Sequence, residues 1–370
     1  MKEYWTYKKL GEVCVINYGT RVVQKNDKGS TYYVYGGGGP TFMVDRYNRE
    51  DCFIVSRFAM SAQCTRFVKG KFFLNDSGLS VRTNSSILSQ AFLDKVLLAN
   101  NDLIYSMGKG MAQRNLDMQS FRNLFIPIPP LSEQSRIVSE LDLLQSIIDK
   151  QQTQLKELDT LAQAIFYDMF GDSAGDECAL VELCKSKDDI KCGPFGTQLS
   201  KLEYQKDGVA VWGIPQINSH FAIVPSDYVS EEKAAALKDY SVAPGDIIMS
   251  RKGNVGQCSV FPDSFENGII HSDVLRLRLE YDKANPIFMM YQLHLSDSIK
   301  HQIQLVSSGA IMPGINVTKL KSIKVIVPSL ALQQSFAAKI EAIEKQKAMI
   351  SQSIAESQKL FDFKMDKYFG

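Results

Sequence analysis

The sequence predicts a mixed α/β chain with an internal pseudo-two-fold repeat, each half a globular segment followed by a long coiled-coil helix. Three observations carry that prediction. IPIPPLSEQSRIV at 126–138 returns as VIVPSLALQQSFA at 325–337, and one offset of 199 sets Pro129 on Pro328, Leu131 on Leu330, Gln134 on Gln333 and Ile137 on Phe336. The offset still holds where Phe170-Gly171 meets Phe369-Gly370, so the repeat covers a whole segment. Before each copy, short apolar runs broken by Gly, Asn and Ser read as strands and loops.

The boundaries that follow are a globular segment at 1–125, a helix at 126–172, a second globular segment at 173–323 and a second helix at 324–370. At 370 residues the chain is too long for one ordinary core and suits two domains. With 45% hydrophobic and 22% charged residues it has the composition of an ordered globular protein. The start, MKEYWTYKKL, has no apolar export region, and no stretch approaches eighteen uninterrupted apolar residues, so a cytoplasmic location without membrane contact is expected. Seven cysteines without a C-x2-C pair indicate reduced thiols rather than a disulfide framework or zinc site. The four histidines (220, 271, 294, 301) show no metal-ligand spacing.

The net charge of +1 is uneven along the chain. Residues 1–125 carry 17 Lys+Arg against 10 Asp+Glu, or +7; the next three segments carry −5, −3 and +2. The first globular segment is basic enough to meet a polyanion, while the second needs its positive charge gathered on one face.

In the first helix Ser132 is the expected cap, and apolar residues fall at Leu141, Leu144, Ile148, Leu155 and Leu158 in steps of three and four. Ile340, Ile343, Ile350, Ile354 and Phe361 occupy the same heptad grid in the second. Helices over 132–168 and 331–367 would each be roughly 55 Å long, a coiled-coil length. The grid has two central polar positions, Gln151 and Lys347. An antiparallel register in which paired residue numbers sum to 498 sets these two against each other, where they would disfavour slipped alignments.

In the globular segments, YYVYGGGG (32–39), VAVWGIPQIN (209–218) and GDIIMSRKGNVGQCSVF (245–261) read as strands and loops, with helices expected near 87–99, 231–238 and 287–303. The globular parts also echo each other. CFIVSRFAMSAQC (52–64) lies on DIIMSRKGNVGQC (246–258) at an offset of 194, matching Ser56-Arg57 to Ser250-Arg251.

Catalytic signatures are sparse. There is no phosphate loop, no dinucleotide-binding GxGxxG and no GxSxG elbow. The run Gly36 to Gly39 lacks a following helix start and reads as a turn. Pro129-Pro130 superficially matches the motif of adenine methyltransferases, but Ile128 and Leu131 stand where polar and aromatic residues would hold the base. Asp227 with Glu231-Glu232-Lys233 is too tightly spaced for a nuclease site and reads as a surface helix.

The order of globular domain, P-L-x-x-Q helix, globular domain and helix resembles the specificity subunit of type I restriction-modification systems along essentially the entire chain. The residues that carry the resemblance are IPIPPLSEQSRIV with its helix, GDIIMSRKGNVG, and GAIMPGINVTKLKSIKVIVPSLALQQSFA (309–337). It implies two target recognition domains separated by an antiparallel helix pair, each reading one half of a split, asymmetric site on double-stranded DNA. It also implies two methyltransferase subunits received by the helices, S-adenosylmethionine bound on those partners rather than on this chain, restriction subunits joining for cleavage, and no catalysis by the chain alone. Other readings are a recognition subunit of another modification-based defence system, a stand-alone methyltransferase or nuclease, and a coiled-coil scaffold without a DNA role. Methyl transfer by the chain alone would mark the enzyme, and absence of a DNA footprint would mark the scaffold.

Arg suits guanine O6/N7 and Asn or Gln suits adenine N6/N7 in the major groove, while most contacts go to phosphate. The DNA-facing candidates are Arg57, Arg66, Lys69, Lys71, Lys109 and Arg114 in the first domain, and Lys191, Gln198, Lys201, Arg251, Lys252 and Asn254 in the second. Arg57 and Arg251 lead because the two halves agree there.

Overall fold

The computed structural model describes residues 4–111, 113–171, 175–308, 314–315 and 317–370. The 309–313 stretch of the GAIMPGINV motif, Asn316, and the expected boundary at 172–173 lie outside them. The chain divides into unit 1, Met1–Thr153 with Ile350–Gly370, and unit 2, Gln154–Met349.

In unit 1 one six-stranded sheet runs in the order Cys14–Tyr18, Gly78–Thr83, Arg49–Ser56, Thr65–Leu74, Tyr32–Tyr35, Pro40–Val44. Period-two alternation explains its two buried faces. Phe53 and Val55 join the main core with Phe92 and Leu93 of helix Gln90–Ala99, whereas Cys52 and Ile54 pack with Val68, Phe72 and Leu74. Strand Thr6–Lys9 pairs antiparallel with Phe125–Ile128, the strand that leads into the first long helix.

Unit 2 repeats that entrance, with Asp176–Ala179 antiparallel to Lys324–Val327 ahead of the second long helix. Eight further strands form two four-stranded sheets, and Ser307–Ser308 pairs with Gly314–Ile315. In one, Ile247–Ser250 lies between Val274–Leu277 and Cys258–Val260. In the other, Trp212 meets Phe221, Phe261 and Phe265 in a separate aromatic core. Among the described residues no helix is long and apolar enough to cross a membrane.

The long helices run over Leu131–Phe170 and Leu330–Phe369, a few residues more than the heptad pattern indicated. Ser132 is not the cap: the helix starts one residue earlier, and the Pro130 carbonyl accepts the N–H groups of Glu133 and Gln134. The expected helix 287–303 is two, Pro286–Leu295 and Asp297–Val306. Ser296 breaks it by leaving helical geometry and accepting the Ile299 N–H, as an N-cap does. In VAVWGIPQIN only Val209–Trp212 is strand, because Pro215 near the start of Ile214–Asn218 is preset for a helical turn.

Within each unit the long-helix segments lie antiparallel, but not in the expected register. In unit 1 Arg136 donates to the Tyr368 hydroxyl at 3.3 Å, Glu140 pairs with Lys364 at 2.5 Å, and Gln151 donates to Ser353 at 2.7 Å. All three pairs sum to 504 rather than 498, a slide of six residues or about 9 Å. In unit 2 Lys347 pairs with Asp159 at 2.8 Å and with Glu344 at 2.9 Å. Gln151 and Lys347 therefore take other partners than each other. The physical reason is that a heptad grid looks nearly the same after sliding about one repeat, so polar partners off the grid decide the register.

Candidate nucleic-acid interface

The two leading arginines occupy matching corners. Arg57 follows Ser56 at the end of Arg49–Ser56, and Arg251 follows Ser250 at the end of Ile247–Ser250; both serines are buried. The Ser56 N–H bonds to Cys64 O and the Ser250 N–H to Gln257 O, each at 2.7 Å. Next, the Arg57 N–H bonds to Ser77 O and the Arg251 N–H to Asp273 O, at 2.8 and 2.9 Å. Finally, the Arg57 carbonyl accepts the Leu116 N–H and the Arg251 carbonyl accepts the Ile315 N–H, at 2.8 and 3.1 Å. Three backbone bonds thus hold each arginine at the junction of three chain segments.

Both guanidinium groups are also stacked. Arg57 lies 4.6 Å from the Tyr18 ring centroid and 4.3 Å from that of Phe58; Arg251 lies 4.7 Å from Phe195 and donates through Nε to Ile315 O at 3.3 Å. Stacking of this kind contributes about 0.5–1 kcal/mol at exposed sites and fixes the plane of the donor fork.

The other unit 1 candidates divide. The Met60 N–H bonds to Arg114 O and the Ala59 N–H to Asn115 Oδ1, which brings Arg114 and the hairpin of Lys109 to the Arg57 corner. The guanidinium of Arg114 lies 4.7 Å over Tyr105. Lys109 pairs with Asp117, and that bond, with the N–H groups of Ser120 and Gln119, holds the Asp117 carboxyl below the usual range. Arg66 spends its fork on Gly38 O and Gln63 O, at 2.9 and 2.6 Å, pinning the glycine turn. Lys69 and Lys71 are apart from the corner: Arg66 pairs with Ile54 and Lys71 with Glu50, four residues away on the neighbouring strand or about 13 Å, and Lys71 lies 4.6 Å over Tyr47.

In unit 2 the candidates form a chain of contacts. The Lys191 ammonium lies 5.0 Å over Tyr240, the Tyr240 hydroxyl donates to Gln198 Oε1 at 3.1 Å, and that oxygen accepts the Phe195 N–H at 3.1 Å, next to Arg251. Lys252 pairs with Asp273 at 2.7 Å. Asn254 is exposed on the turn between Gly253 and Gly256, whose φ values of 70° and 88° suit glycine. Lys201 starts an exposed turn beyond Gln198.

Sequence reasoning missed the supports. Arg276 is buried and donates to Ser241 O at 2.5 Å and Asp239 O at 3.4 Å, fixing the segment that carries Tyr240; burial lowers its pKa. Arg278 forms a fork with the buried Asp246, at 2.8 and 2.7 Å. Asp273 supports Arg251 through its backbone and Lys252 through its carboxylate. The only signal available was an arginine at alternate positions of an apolar strand, VLRLR. Asp273 carried none.

A family model described as the type I restriction modification DNA specificity domain matches residues 2–160 and 180–357. The chain is 22% identical over 301 residues to the type I restriction enzyme MjaVIII specificity subunit of Methanocaldococcus jannaschii, covering 75% of this chain and 69% of that protein. It is 22% identical over 255 residues to the putative type I restriction enzyme MjaX specificity subunit of the same organism, covering 65% and 57%. The type I restriction-modification S subunit from M. genitalium shares its fold with a TM-score of 0.63 at 16% identity, covering 99% of this chain and 96% of that one. A chain from a solved type I R-M system gives 0.57 at 21% identity, covering 99% and 97%.

Proposed function

Since the chain belongs to the type I restriction-modification DNA specificity family, matched over both halves, we propose that each half reads one part of a two-part, asymmetric site on double-stranded DNA. The observation that carries this reading is the repeated Ser-Arg corner, where three backbone bonds and an aromatic ring hold a guanidinium in each unit. A stacked, pre-oriented fork matches guanine O6 and N7 and loses little freedom on binding. Its surroundings differ: Tyr18 and Phe58 in unit 1, Phe195 and the Lys252–Asp273 pair in unit 2. Different surroundings suit different bases. Lys109, Arg114, Lys191, Gln198, Lys201, Lys252 and Asn254 supply mostly phosphate contacts around the corners, and Lys69 and Lys71 extend the footprint in unit 1. Arg66 acts from within, by shaping the glycine turn.

Two methyltransferase subunits dock on the long helices, restriction subunits join them for cleavage, and the complex works in the cytoplasm. S-adenosylmethionine belongs to the methyltransferase partners, and this chain contributes recognition rather than catalysis. The test is reconstitution with the methyltransferase partner, labelled S-adenosylmethionine and a library of duplexes. Methylation that needs the chain and falls on a gapped motif is expected. Methyl transfer by the purified chain alone, or an ungapped motif, overturns the reading.

A further inference from the structure

At the foot of each long helix lies a glutamine with no solvent exposure, Gln134 and Gln333. Gln134 Oε1 accepts the Ser89 N–H at 2.8 Å, while Nε2 donates to Ile87 O at 2.7 Å and Pro129 O at 2.8 Å. Gln333 Oε1 accepts the Asn285 N–H at 2.9 Å, and its Nε2 donates to Pro328 O at 2.8 Å. Ser89 and Asn285 are the N-caps of helices Gln90–Ala99 and Pro286–Leu295, each packed into its unit's main core. Pro129 and Pro328 follow the strands that enter the long helices.

One buried amide in each unit therefore ties three elements together: the entering strand, a core helix and the first turn of the long helix. The chemistry requires an amide. An apolar side chain would leave a proline carbonyl and a capping N–H buried and unpaired, and a carboxylate would lack the donor. The latch recurs even though Ser132-Glu133 beside it becomes Ala331-Leu332 in the second copy.

We propose that Gln134 and Gln333 are positioning residues that fix the direction in which each reading unit leaves its long helix, and so the length of the unread gap between half-sites. The proposal rests on the two-part reading above. Its test uses the reconstituted complex on duplexes that carry both half-sites at gaps one base pair shorter, equal and one longer than the wild-type motif. Gln134→Met and Gln333→Met keep the volume and remove the bonds; Gln134→Glu and Gln333→Glu keep the acceptor and remove the donors. The expected result is unchanged bases in both half-sites, with discrimination against the wrong gaps falling roughly ten-fold per Met variant, the size of one or two buried hydrogen bonds.

Wild-type gap discrimination in variants that merely melt at lower temperature would make the glutamines structural and overturn the proposal. So would altered bases within a half-site, or failure of all four variants to assemble. A wild-type complex without a gapped motif would instead remove the two-part reading itself.

Discussion

Unit 1 lays six strands into one sheet, whereas unit 2 divides eight between two four-stranded sheets. Yet both enter their long helix through the same strand pair and the same buried glutamine, and both carry a Ser-Arg corner held by matching backbone bonds. The contrast teaches where the repeat is constrained. Geometry is kept at the helix entrance and at the corner, while the number and grouping of the strands around them differ.

The largest test of that comparison lies at a shared position. Ile137 and Phe336 are both fully buried at the offset of 199, but Phe336 packs among Phe166, Phe170, Phe288 and Tyr291. Phe336→Ala should cost unit 2 about 3–5 kcal/mol, and Ile137→Ala should cost unit 1 about 2–5 kcal/mol. The two tryptophans report separately, Trp5 from unit 1 and Trp212 from unit 2. Urea unfolding followed with the other tryptophan replaced by phenylalanine should show each loss in its own unit. Equal shifts at both probes in both variants would break the assignment of Phe336 to the main core of unit 2 and Ile137 to that of unit 1.

A smaller effect separates the units by sign. Burial pushes the Asp94 carboxyl of unit 1 up to about 6, from 3.8, and the His294 imidazole of unit 2 down to about 4, from 6.5. His294 Nε2 also accepts the Cys258 N–H at 2.9 Å, which requires that nitrogen unprotonated. For Asp94 the unfolded chain gives up its proton first, so its contribution to folding is full below about pH 4 and is lost as pH rises toward 6. For His294 the unfolded chain takes the proton first, so its contribution is full above about pH 6.5 and is lost as pH falls toward 4. Each effect should be on the order of 1–3 kcal/mol. The measurement is the stability of wild type minus that of Asp94→Asn at Trp5, and minus that of His294→Gln at Trp212, between pH 4 and 6.5. Slopes of the same sign would contradict the assignment.

The smallest effects concern the polar positions of the helix grid. Gln151 spends its amide N–H on Ser353, but its Oε1 is buried without a hydrogen-bond partner among the described residues. Gln151→Met should be neutral or slightly stabilising, whereas Lys347→Met, which releases Asp159 and Glu344, should cost up to about 1 kcal/mol. A clear loss in Gln151→Met would show that its single bond matters more for register than the geometry implies.

Much of this architecture was legible in the sequence because it depends on local pattern. The heptad grid located both long helices, and the offsets of 199 and 194 located the helix entrance and the Ser-Arg corner. The illegible parts depend on partners distant in the chain. Register turned on Ser353 and Asp159, off the apolar grid. Ser296 could break a helix only by offering its hydroxyl to Ile299 in place of a further turn. Within the candidate interface, charge alone could not separate Arg66, which bonds to two carbonyls of its own fold, from Arg57, which lies over the rings of Tyr18 and Phe58. Nor could it place Asp273 behind Arg251 and Lys252.

The central claim is that each unit reads its own half of the target through its corner arginine. The most direct measurement is the methylated motif of the reconstituted complex carrying Arg57→Ala or Arg251→Ala. Each substitution should relax the bases of one half-site by about 1–3 kcal/mol of discrimination while the other half-site stays unchanged, and the two variants should affect opposite halves. Uniform weakening on every sequence, or both variants relaxing the same half, would contradict the account.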